Sequence, residues 1–182
     1  MTDYDPRRFP TGPFEPKASL SAKERDDLFE QLAHFPADLR FMVESLTGEQ
    51  LDGRYRKGGW TARQVVHHLA DSHMQGYIRC KVAMTEDRPT ITTYQQAFWG
   101  ETEDARLAPP EVSLTLLEGL HLRWVHFLRS LRGESFRRTY VHPETGEISL
   151  DTNLQLYVWH GKHHLGHVGL VAEGGAVSRS RG

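Results

Sequence analysis

The sequence predicts an all-α fold, an antiparallel bundle built on about four long helices, from three observations. Four stretches space their apolar residues at helical intervals. Two of them open on capping boxes, Ser21-Ala-Lys-Glu24 and Thr61-Ala-Arg-Gln64. Runs of β-prone residues occur at only one connection, ahead of the last helix.

Residues 1–20 contain Pro6, Pro10, Pro13 and Pro16, too many for a helix, and predict an extended arm lying on the domain or on a partner. The first helix opens at Ser21 and carries Leu28, Leu32 and Phe35. Pro36 is expected to break or bend it before the pattern resumes through Leu39, Met42, Val43 and Leu46. Leu51 to Trp60 reads as a polar, glycine-containing connection. The second capping box opens a helix that is apolar at Ala62, Val66, Leu69, Tyr77 and Cys80 and runs to about Glu86.

Residues 89–110 read as a long loop whose Tyr94, Phe98 and Trp99 pack over something. A third helix is expected from Ser113 to Leu131, with Leu116, Leu117, Leu120, Trp124, Phe127 and Leu128 facing inward, and Gly133 stops it. The runs 138–142 and 147–150, around Pro-Glu-Thr-Gly, predict a small hairpin. Asp151 is expected to cap a final helix over roughly 152–173, ending at Gly174-Gly175. The bundle thus spans 21–175, and the tail 176–182 is expected to fray.

A net charge of −2 argues against general nucleic-acid binding, which requires a basic surface. No apolar run is long enough to span a bilayer, and the N-terminus is polar and Pro-rich instead of signal-like. The lone cysteine, Cys80, has no intrachain partner, so a reducing, cytoplasmic setting is expected. Cys80 itself falls near an apolar centre and reads as packing.

The informative residues are the 11 histidines, which cluster in two helices. The last helix contains YVWHGKHHLGHV, and its core stripe is Leu154, Val158, Gly161, Leu165, Val168 and Ala172. His164 lies about 80° and His160 about 120° from the centre of that stripe, on one flank and one turn apart. Two imidazoles so placed can share one metal. His163 and His167 are expected to point further toward water, at about 180° and 140°.

A third ligand must come from another helix, and VVHHLADSHM supplies it. His67 and His68 sit on opposite flanks there, and periodicity does not choose between them. His73 falls near the apolar centre and reads as a packed, hydrogen-bonded residue. Asp71 lies one turn on and can hold a ligand's second nitrogen or orient a bound water.

The segments YRKGGWTARQVVHHLADSHMQGYIR, LHLRW and YVHPETGEI through LYVWHGKHHLGH resemble the YfiT group of the DinB-like superfamily, over nearly the whole chain. The resemblance implies a DinB-like four-helix bundle, a homodimer, and zinc or nickel held by three histidines. It assigns those ligands to His68, the residue before Leu in HHLADSH, and to His160 and His164. It also implies metal-dependent hydrolysis, or S-transfer from a low-molecular-weight thiol of the bacillithiol type to a small-molecule electrophile.

Three neutral nitrogen ligands leave a coordination position open for water or thiol. Gly161 and Lys162 follow His160, so there is no HExxH arrangement and no built-in glutamate base. That weighs toward thiol transfer, with Asp71 as the general-base candidate if one is needed. Arg79 shares the flank of His68 and can hold an anionic substrate group; its other reading is a solvated or ion-paired arginine. A structural metal in a dimeric, non-catalytic stress-response module is the alternative from a different class. It would draw a fourth ligand from His163, His167 or Asp71. The loop 90–100 and the hairpin are where a lid or substrate wall is expected, unless they cover the bundle end or form the dimer contact.

Overall fold

A computed structural model describes residues 5–174. The four long helices are α1 (Ala22–Glu44), α3 (Ala62–Thr85), α6 (Pro110–Arg129) and α7 (Leu150–Ala172). Between them lie the short helices α2 (Gly48–Leu51), α4 (Gln96–Trp99) and α5 (Glu103–Leu107), a 3₁₀ turn at Gly133–Arg137, and an antiparallel hairpin of β1 (Thr139–His142) and β2 (Gly146–Ser149). In the bundle, α1 and α3 each pack against both α6 and α7.

Both capping boxes form, with Ser21 and Thr61 accepting from the backbone N–H of Glu24 and Gln64. A third, Thr47 with Gln50, opens α2, which ends where the expected connection begins. Gln64 does two jobs: its Oε1 accepts from Thr61 N, and its Nε2 donates to the Gly100 carbonyl at 2.6 Å. The start of α3 therefore fixes the loop that carries α4.

Three expectations about helices need correction. Pro36 does not interrupt α1, which runs unbroken through it. Packing of Phe35, Pro36 and Leu39 into the core outweighs the backbone hydrogen bond the proline cannot make. In α6, Leu116 is 45% exposed, and Leu114 and Val125 are buried instead; the true core face is rotated from the one expected. Asp151 is not the cap of α7. Ser149 caps it, and Asp151 is buried in a bidentate pair with Arg25 (2.7 and 2.8 Å). The Arg25 guanidinium also lies over the Phe136 ring, tying α7 to α1 and the 3₁₀ turn.

Helix α7 ends as expected, with Gly174 in the left-handed region (φ +81°). The tail 176–182 lies outside the described residues. The proline-rich arm lies on the bundle, antiparallel to α7. Lys17 exchanges backbone bonds with the Gln155 amide, Trp159 Nε1 donates to the Gly12 carbonyl, and Phe14 packs on Trp159. Gly166 lets Pro10 approach: a Cβ at 166 would lie 2.9 Å from that ring.

Candidate metal centre

Helix α3 contributes His68 and α7 contributes His160 and His164, and one nitrogen from each falls within 4.8 Å of the others. His68 Nε2 and His160 Nε2 are 3.3 Å apart. Two nitrogens bound tetrahedrally at about 2.0–2.1 Å would sit about 3.3–3.4 Å apart, so the spacing suits one small divalent ion.

The hydrogen bonds behind the rings decide which nitrogens are free. His121 Nδ1 is 2.6 Å from the Leu32 carbonyl, which can only accept, so His121 carries its proton on Nδ1. Its Nε2 must then accept from His73 Nδ1 (2.9 Å), and His73 Nε2 must accept from His160 Nδ1 (3.2 Å). The lone pair of His160 is left on Nε2, toward His68. A second chain reaches the same result. His167 Nε2 donates to the Arg8 carbonyl (3.3 Å), so its Nδ1 accepts from His164 Nδ1 (3.2 Å), freeing His164 Nε2. Both chains end on a backbone carbonyl and leave a neutral imidazole with its outer nitrogen unprotonated, the form that binds a metal.

Pro36 explains the first terminus. Leu32 is four residues before it, and a proline has no N–H to give to that carbonyl. The residue expected to break α1 instead releases the acceptor on which the histidine relay is anchored.

Burial keeps these rings neutral. Desolvation lowers His68 and His121 to a pKa of about 4 and holds His73, His160 and His164 well below the ordinary histidine value. The trio opens onto a cavity of about 530 Å³ that Trp60, Arg8 and Arg56 also line. A second cavity of about 400 Å³, also lined by His160, reaches Arg79, and both share Gln96 and Ala97 of α4.

The model of the DinB superfamily matches residues 31–168. The chain belongs to that superfamily. It is 47% identical over 161 residues to the Bacillus subtilis protein named "Putative metal-dependent hydrolase YfiT", covering 88% of this chain and 90% of that one. It is 46% identical to "Putative metal-dependent hydrolase BT9727_2476" of Bacillus thuringiensis, covering 92% of that protein. A solved structure, described as "YfiT from Bacillus subtilis is a probable metal-dependent hydrolase with an unusual four-helix bundle topology", matches with a TM-score of 0.91 and 44% identity over 93% of this chain and 97% of that one.

In this DinB-superfamily chain His67 is directed away from the trio. Its Nδ1 meets Ser113 Oγ (2.7 Å) and its Nε2 the Ala108 carbonyl (3.1 Å). His73 is packed and hydrogen-bonded, as its place on the helix implies. His163 and His167 do not point to water; both are buried. The arm covers them through Thr11 and Arg8, and Tyr55 stacks on His167 at 3.9 Å. A helical wheel cannot show that cover, because it comes from elsewhere in the chain. His163, His164 and His167 also form a group with ligand-like spacing, but the relay already uses His164 Nδ1 and both nitrogens of His167.

Asp71 is half-buried, and desolvation and Asp104 push its carboxyl up to about 6. Among the described residues it makes no hydrogen bond to a histidine, and it lines neither cavity; the second nitrogens of His160 and His164 go to His73 and His167. Arg79 is largely buried and faces the second cavity. It is 9% exposed, with no carboxylate within 4 Å among the described residues. Cys80 is buried and its thiol is pushed up to about 12, which makes it unreactive. The sequence reading missed His121, and only its position among the apolar residues of α6 hinted at it.

Proposed function

We propose that this protein is a metal-dependent enzyme in which His68, His160 and His164 hold one zinc or nickel ion and activate water or a small thiol. The observation that carries this reading is the convergence of the two hydrogen-bond chains, which leave His160 and His164 Nε2 unprotonated beside His68. A divalent ion on three neutral nitrogens acidifies a bound water or thiol and polarises a bound electrophile.

The chain's own residues then have distinct tasks. The relays hold the rings in one tautomer, Trp60 covers His68 at 4.6 Å, and the wider cavity admits a small molecule. Arg8 and Arg56 make the cavity wall positive, which favours electron-rich or anionic reactants. Asp71 has a carboxyl pushed up to about 6 but lines neither cavity, so this reading gives it no proton to transfer at the trio. Hydrolysis, the reaction in the names of the relatives, and thiol transfer to an electrophile both fit this arrangement.

The test is a turnover screen of metal-loaded protein against esters and amides without thiol, and against epoxide or chloroaryl electrophiles with small thiols. Turnover that disappears in His164→Ala supports the reading, and its dependence on thiol separates the two reactions. A folded, metal-loaded protein inactive on every class would favour the non-catalytic alternative.

A further inference from the structure

Beyond the histidine trio, the second cavity contains a charge that no carboxylate among the described residues neutralises. Arg79 projects from α3 into it, 9% exposed, and its partners there are phenols: Nη1 donates to Tyr157 Oη over a long 3.4 Å, and Tyr140 is also within its reach. Its Nε is buried and has no hydrogen-bond partner among the described residues. Buried guanidinium groups are normally matched by carboxylates, because an uncompensated charge away from water is costly. Glu144 lines the same cavity, but it is exposed and lies more than 4 Å from the guanidinium. Ser72, Tyr94 and Tyr157 add hydroxyls around the space, and burial raises both phenols, so neither is an anion that could pair with Arg79.

We infer that Arg79 is the receptor for a carboxylate on the reacting molecule, whose reactive end lies across His160 at the histidine trio. The planar fork of arginine fits a carboxylate in a two-pronged contact. The two cavities share His160, Gln96 and Ala97 in their walls, so they lie side by side. About 400 Å³ accommodates a short chain bearing the carboxylate. The inference rests on the proposed function only for what happens at the far end of the ligand. The carboxylate itself can belong to the electrophile or to a thiol.

Butyrate and its uncharged counterpart butyramide, titrated into the purified protein by calorimetry or ligand-observed NMR, test the site. Butyrate is expected to bind about tenfold tighter than butyramide to wild type. The preference should vanish in Arg79→Met and weaken in Arg79→Lys, which keeps the charge but loses the fork. Arg79→Met should melt no lower than wild type without ligand, because no ion pair is broken. If it fails to fold, Arg79→Lys decides, and unchanged butyrate affinity there overturns the proposal. So does a wild type with no preference. A preference that survives Arg79→Met but disappears in His164→Ala would place the anion at the trio and equally overturn it. Loss of turnover in His164→Ala with the butyrate preference intact leaves this site standing, so the two readings fail separately. Turnover of neutral against carboxylated esters, and with neutral against carboxylated thiols, then shows which reactant carries the group.

Discussion

Pro36 and His121 show how a single residue can reach the metal site without touching it. Pro36 withholds a backbone N–H from the Leu32 carbonyl, and His121 takes that acceptor and passes its polarity through His73 to His160. His121→Phe is expected to lower metal affinity by up to about 10-fold, the lower end of the cost of removing a direct partner of a metal-bound histidine, because it acts through His73. Pro36→Ala should separate two effects. It restores a helical donor to Leu32, so thermal stability should hold or rise, while metal affinity falls because the carbonyl is shared. Metal titration and thermal unfolding of the two variants check both; affinities equal to wild type would remove the relay from the account. None of this was visible in the sequence. Proline was legible only as a local breaker, and His121 only as a histidine among apolar residues, because the bond joining them crosses from α1 to α6.

The helices themselves were more legible. Capping boxes and apolar spacing placed α1, α3, α6 and α7 close to their observed bounds, since both signals are local. What the pattern misjudged depended on neighbours: the face of α6 at Leu116, and the burial of His163 and His167 under the arm. The crossing of α3 and α7 next to the site illustrates the same limit. A Cβ at Gly76 would lie 2.4 Å from Tyr157 and 2.7 Å from Trp124, two rings that pack around His73. Gly76→Ala should therefore cost about 1–3 kcal/mol by overpacking, although alanine is the better helix former. Chemical denaturation measures this, and a gain in stability would show that the helices have room to separate. The choice of His68 over His67 likewise needed more than periodicity, and the packing of His67 against Ser113 and Ala108 supplies the reason.

For the molecule as a whole, burying so many histidines sets the response to pH. A histidine whose folded pKa is depressed binds its proton more readily in the unfolded chain. Its contribution is complete above the unfolded value of about 6.5 and is lost as pH falls toward the folded value. For His68, His121 and His167 that folded value is about 4, and burial holds His73, His160 and His164 well below the ordinary histidine value. Asp71 acts in the opposite direction: its raised carboxyl opposes folding above about 4 and that penalty is relieved as pH drops below about 6, but it is one group against six. Unfolding free energy should therefore decline steadily from pH 6.5 to 4; a flat profile there would mean that the rings are more hydrated than their burial indicates.

Crystals soaked in zinc and measured at the metal's absorption edge give the most direct view of the central site. The expected result is one anomalous peak per chain, about 2.0–2.1 Å from the Nε2 atoms of His68, His160 and His164, with one side open to the cavity that Trp60 and Arg56 line. A peak on His163 and His167 instead, or none at the trio under saturating metal, would contradict the account.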